Sequence, residues 1–183
     1  LSNDVRYFVA DVADGNFWVA TSKGVSRFDT KLDTPTTITP EPLNITAQVR
    51  HIYQQPNRLL WFATDRGVYR YDPITYDLTV IGQNDGLESI DVRWIEGDEA
   101  AGVLWFATAK GIEIFKGQRI VPDRRLPGLT GENIQCIFRD RDQMIWLGST
   151  DGKVKKYVNT RLPNIPPLIN TYTRDRHGLA GNE

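Results

Sequence analysis

Cysteine is almost absent from this 183-residue chain: Cys136 is its one thiol, which excludes an internal disulfide framework and a cysteine-based metal site. It lies in the apolar run Ile134-Gln135-Cys136-Ile137-Phe138, a setting for a buried, inert thiol and not for a nucleophile. An excess of charge is also missing. Lys and Arg number 22 against 23 Asp and Glu, a net charge of −1, so no global field draws in nucleic acid or an anionic membrane. No apolar run reaches the roughly 18 residues of a membrane helix, and no leader pattern opens the chain. Gly-x-Ser-x-Gly, a phosphate-binding Gly-Lys loop and His-Glu-x-x-His are all absent. The two histidines do not replace them: His51 sits in an apolar strand, where packing explains it, and His177 sits in a polar junction. The expectation is therefore no cofactor, no metal and no catalytic residue.

What the chain has in quantity is repetition. Trp18, Trp61, Trp105 and Trp146 recur at steps of 43, 44 and 41 residues. Three residues after each comes a hydroxyl (Thr21, Thr64, Thr108, Ser149), and six after each comes a glycine (Gly24, Gly67, Gly111, Gly152). An aromatic closes each unit: Phe28, Tyr71, Phe115 and, one residue later in register, Tyr157. A period of roughly 40–45 residues with a Trp, a Gly and several short strands marks propeller blades. The predicted fold is all-β: a β-propeller of four four-stranded blades, at about 1–43, 44–87, 88–129 and 130–183, within a larger seven-bladed ring. A closed four-bladed ring and two chains completing an eight-bladed ring are the alternatives. The ends resemble broken junctions between repeats, so a longer repeat array is expected.

Within each unit the first strand is β-branched and aromatic, as in Val5–Val9, Val49–Tyr53, Val92–Glu96 and Ile134–Phe138. The second carries the Trp and is almost continuously apolar, as befits a strand covered on both faces. Thr-x-x-Gly then turns the chain, and the third strand follows. The outermost strand is the most polar, with Thr36–Thr39 flanked by Pro35, Pro40 and Pro42, residues tolerated at a sheet edge. Asp14, Asp72, Asp85 and Asp142 stand at turns, where hydrogen bonds to backbone account for them. The Trp series reads as core. The proline-rich stretch 160–167 reads as a semi-rigid loop, and Asn44-Ile45-Thr46 as a chance glycosylation sequon.

Leu60-Trp61-Phe62-Ala63-Thr64-Asp65-Arg66-Gly67-Val68-Tyr69-Arg70-Tyr71-Asp72-Pro73, followed by Asp85-Gly86-Leu87, resembles the two-component regulator propeller repeat. Repeats one and three are close to it. Repeat four departs by an extra residue before its third strand, and the first junction has Pro42-Leu43-Asn44 where Gly-Leu is the pattern. The resemblance implies a seven-bladed propeller in the periplasmic part of a bacterial membrane sensor. A sandwich domain, a membrane span and a histidine kinase or diguanylate cyclase would lie outside this chain. It also implies oligosaccharide ligands.

One charge pattern stands apart. The first strands open with Arg6, Arg50 and Arg93, with Gln135 in the fourth copy. The turns between second and third strands carry Lys23, Arg66 and Lys110, with Asp151 in the fourth. In a propeller both sets emerge on one face. They read either as solvated loop charges or as a site for a carboxylated or sulfated ligand, with Trp94 as a stacking surface or as packing. The leading function is a non-catalytic ligand-sensing segment. A protein-interaction or structural propeller, with a homodimer allowed, comes next, and a polysaccharide lyase or hydrolase last. The expected partner is a small-molecule or oligosaccharide ligand, with no nucleic acid and with membrane contact only through segments outside the chain.

Overall fold

The structure, a computed structural model, describes residues 4–31, 37–38, 45–121, 131–158 and 168–179, with backbone alone for Thr37, Ile38, Leu168 and Ile169. The stretch 160–167, Pro35, Pro40, Pro42 and Asn44 of the sequon lie outside the described residues.

Among the described residues sixteen strands form four antiparallel sheets, each ordered along the chain. Blade one holds β1 (Val5–Ala10), β2 (Phe17–Thr21), β3 (Gly24–Phe28) and β4 (Thr37–Ile38). Blade two holds β5 (Val49–Gln54), β6 (Leu60–Thr64), β7 (Gly67–Tyr71) and β8 (Leu78–Ile81). Blade three holds β9 (Val92–Asp98), β10 (Val103–Thr108), β11 (Gly111–Lys116) and β12 (Arg119–Val121). Blade four holds β13 (Ile134–Arg139), β14 (Ile145–Ser149), β15 (Val154–Tyr157) and β16 (Leu168–Tyr172), followed by the single-turn helix α1 (Arg174–His177). The first strands β1, β5, β9 and β13 pack on one another in succession, so the blades are arranged around their first strands. This is the propeller fold expected from the period.

The core lies between blades, and alternation along the second strand explains why. In β6, Leu60 and Phe62 pack toward blade one, beside Trp18, Ala20 and Val25. Trp61 and Ala63 point the other way, against Val92, Ile95, Leu104 and Phe106 of blade three. Trp105 and Ala107 repeat the arrangement against Ile134, Ile137, Ile145 and Leu147 of blade four. Each of the first three blades therefore has a Trp–Ala face that covers the opposite, apolar face of the second strand in the next blade, and β6 and β10 are buried along their whole length.

The two outer faces differ. On blade one, Val5, Phe8, Phe17, Val19 and Phe28 line a shallow apolar depression, with Phe8 63% exposed. On blade four, Phe138 is 62% exposed and Trp146 is half-buried. The Trp series is thus core at three positions; the fourth, Trp146, is half-buried, a correction to the expectation of a uniformly buried series.

The Thr-x-x-Gly turn is built three times in one form. The threonine hydroxyl donates to the glycine carbonyl (Thr21 to Gly24 3.0 Å, Thr64 to Gly67 2.7 Å, Thr108 to Gly111 3.1 Å). At Gly67 a Cβ would stand 2.4 Å from the Ile81 carbonyl oxygen, with φ at +105°, so both space and conformation demand glycine. The fourth turn runs from Ser149 to Lys153, and Gly152 has open space around it. The extra residue moves this glycine out of register with its counterparts.

Candidate functional site

Every one of the four strand-start residues sits on a β-bulge. The pairing of β1 with β2 steps from Val5 to Tyr7 and skips Arg6. That of β5 with β6 skips Arg50, that of β9 with β10 skips Arg93, and that of β13 with β14 skips Gln135. A bulge bends the strand and re-aims the extra side chain. A repeated backbone bond then brings the second-to-third turn beside the start of the first strand. Ser22 N–H donates to the Asp4 carbonyl (3.2 Å), Asp65 to Gln48 (3.3 Å), Ala109 to Asp91 (3.2 Å) and Thr150 to Asn133 (2.9 Å). The expected gathering of the two residue sets on one rim, here the upper rim, is what the geometry produces. No feature of one repeat signals a bulge; the signal is the polar residue at the same offset in all four.

The inner cations are engaged across blade boundaries. Arg50 of blade two ion-pairs with Asp91 at the start of blade three, and Arg93 holds the same carboxylate at 2.9 Å. Arg93 also donates to the Asn133 side chain at the start of blade four. A relay Arg50–Asp91–Arg93–Asn133 thus crosses three blades. Burial opposes ionisation of Asp91, but hydrogen bonds and charge from Arg50 and Arg93 outweigh it and hold its pKa below the usual carboxylate range. Arg6 is exposed and pairs with Asp4 at 2.8 Å, and Gln135 is exposed. Lys23, Arg66 and Lys110 are exposed on the turns. In blade four, Lys153 neutralises Asp151 at 2.5 Å. The relay was missed because its partners are about one repeat apart in sequence.

Below the three arginines, the next residue of each of those first strands joins a ring stack. Trp94 lies on His51 with centroids 3.8 Å apart, and Tyr7 stands 4.2 Å from His51. Trp94 is therefore half-buried with one face occupied by imidazole, which makes it packing more than an open stacking surface. His51 accepts a hydrogen bond from Ile95 N–H at Nδ1 (3.3 Å), and burial drives its pKa down to about 3. It is a neutral packing histidine; its buried Nε2 and the Trp94 Nε1 lack a partner among the described residues.

The opposite, lower rim carries a second repeated device. Trp18 Nε1 donates to Asp11 (3.0 Å), Trp61 Nε1 to Gln55 (2.8 Å) and Trp146 Nε1 to Asp140 (2.7 Å). A cation from the third strand covers the same ring: Arg27, Arg70 and Lys156, at 5.4, 5.8 and 4.7 Å. The turn aspartates behave as expected at Asp14, Asp72 and Asp85, which accept backbone N–H bonds. Asp142 is a correction: its own N–H donates to Asp140, and Asp140 is the carboxylate that organises that turn.

Residues 128–151 match the model of the two component regulator propeller family. The chain also superposes on the extracellular domain of a B. thetaiotaomicron protein described as a hybrid two component system. That match has 22% identity and a TM-score of 0.68, and covers 91% of this chain and 24% of the other. A virginiamycin B lyase from Staphylococcus aureus matches at 14% identity and a TM-score of 0.66, over 92% of this chain and 55% of the enzyme. A WD40 β-propeller domain matches at 18% and 0.62, over 86% and 51%. At these identities the likeness establishes the fold. This chain spans about a quarter of the two component domain and about half of the lyase. No curated protein matches it.

Proposed function

We propose, for a chain that carries the two component regulator propeller repeat, that it is a non-catalytic ligand-sensing segment of a bacterial two-component sensor. On this reading it works on the extracytoplasmic side, within a larger ring of blades. The ligand is an oligosaccharide bearing carboxylate or sulfate groups, held on the upper rim. The observation that carries the reading is the bulge repeated at Arg6, Arg50, Arg93 and Gln135, which aims one strand position of every blade at the same rim. The relay through Asp91 fixes Arg50 and Arg93 before any ligand arrives, so little conformational freedom is lost on binding. Exposed Lys23, Arg66 and Lys110 would then meet the anionic groups first. A ligand spanning two blades would favour one relative placement of those blades, and that preference is what a sensor transmits.

The test is calorimetric titration with sulfated and uronate-containing oligosaccharides, with neutral glucan oligosaccharides as comparators. Arg50→Ala with Arg93→Ala should weaken anionic binding by at least about tenfold, ~1.4 kcal/mol. Unchanged binding of every anionic oligosaccharide by the double variant sinks the proposal. The second reading is a protein-interaction or structural propeller. It predicts no stabilisation by any of these sugars.

A further inference from the structure

The lower rim is not uniform, and its one irregular seam is open. In blade one, Arg27 over Trp18 is held by two acids, Asp11 at 3.5 Å and Asp14 more closely. Blade two keeps the Trp and the Arg, as Trp61 and Arg70, but Gln55 stands where Asp11 stands in blade one, and Arg58 takes the left-handed turn position of Gly15. Arg70 consequently has no carboxylate partner among the described residues. The buried Nε of Arg58, on the same turn as Gln55, has no acceptor among the described residues.

The clasp between neighbouring blades is missing at the same seam. Gln54 of blade two reaches back to Asp11 (3.3 Å), and Arg139 of blade four reaches back to Asp98 (3.4 Å). The equivalent residue of blade three is Gly97, and the space beside it is taken by the Tyr53 hydroxyl, 2.0 Å from where a Cβ would stand. That hydroxyl donates to Glu99 at 2.9 Å. Beside this gap a cleft of about 250 Å³ opens between blades two and three, lined among others by Gln55, Arg70, Glu99, Lys116 and Gln118 over a floor of Trp61 and Phe115. Its two acids are already engaged, Asp98 by Arg139 and Glu99 by Tyr53. Asp98 is ion-paired, whereas Arg70, Lys116 and Glu99 have no ion-pair partner among the described residues, which leaves the cations of the cleft in excess.

We infer that the seam between blades two and three is a binding site for a small polyhydroxy carboxylate of about monosaccharide size, anchored by Arg70. The volume lies just below the roughly 300–1,000 Å³ of drug-sized pockets, which limits the occupant to one ring. A guanidinium fork pairs with a carboxylate in two parallel hydrogen bonds. The amides of Gln55 and Gln118 and the carboxylate of Glu99 offer both donors and acceptors to hydroxyls. This site is on the rim opposite the arginine relay and stands independently of the function proposed above.

The experiment follows the Trp61 indole N–H by NMR while sodium glucuronate is added. Glucose at the same ionic strength, set with sodium chloride, is the neutral comparator. Glucuronate should give a saturable shift at Trp61, and glucose should give none. Arg70→Gln should weaken binding at least tenfold, whereas Arg27→Gln, the same position in blade one, should leave it within twofold. Gln55→Asp restores the blade-one acid beside Arg70 without removing any cation, and it should abolish the shift with the fold intact. No saturable shift with glucuronate, an equal shift with glucose, or undiminished binding by both Arg70→Gln and Gln55→Asp would overturn the inference.

Discussion

Trp18, Trp61 and Trp105 are 2%, 3% and 7% exposed, whereas Trp146, in the same place of the same motif, is half-buried. Each of the first three enters an apolar seam completed by the next blade. Trp146 keeps its indole hydrogen bond to Asp140, its covering Lys156 and a stacked Tyr172 at 5.8 Å, all from its own blade. The comparison separates two kinds of information in one repeat. Local strand, turn and cation–ring contacts are completed within a blade, while burial is a property of pairs of blades.

The largest test of that separation is truncation of the ring itself. Trp105→Ala should cost roughly 3–5 kcal/mol in urea unfolding, and Trp146→Ala about 1–2 kcal/mol. Equal losses would mean that the seams are not where stability resides. The glycine turns sharpen the same contrast. Gly67→Ala drives a Cβ into the Ile81 carbonyl at +105° and should cost about 3 kcal/mol, against about 1 kcal/mol for Gly152→Ala in open space. Comparable melting temperatures for the two variants would refute the close-approach account.

His51 gives a pH signature to the interior seams. Its folded pKa lies near 3, below the 6.5 of the unfolded chain, so the unfolded state binds the extra proton first. The stability it lends is complete above pH 6.5 and falls by about 1.4 kcal/mol per pH unit as the pH drops toward 3. His51→Asn, which keeps an acceptor near Ile95 N–H, should flatten the decline of melting temperature between pH 6 and 4. An unchanged slope would place the imidazole elsewhere. The smallest effect is at the upper rim. Asp91→Asn breaks an ion relay between blades and should cost about 1 kcal/mol, whereas Asp4→Asn at the exposed first blade should stay within about 0.5 kcal/mol.

The strands, their order and the Thr-x-x-Gly turns were legible because they depend on neighbours in the chain. Leu60-Trp61-Phe62-Ala63-Thr64 states both faces of a buried strand in five letters. The shared rim of Arg6, Arg50, Arg93, Lys23, Arg66 and Lys110 was also legible, since strand direction alone places it. What the arginines do there was not. Arg50 meets Asp91 and Arg93 meets Asn133 at separations of 41 and 40 residues, and only the stacking of blades makes those groups neighbours.

The period by itself determined a propeller made of four four-stranded sheets, because a Trp, a hydroxyl and a glycine at fixed offsets prescribe the same local hydrogen bonds each time. The tertiary structure decided which arginine is paired and which seam stays open. Gln55, Arg58 and Gly97 are unremarkable letters taken singly. Their effect appears only where two blades face each other, since burial, ion pairing and cavity volume belong to the contact between surfaces and not to either surface alone.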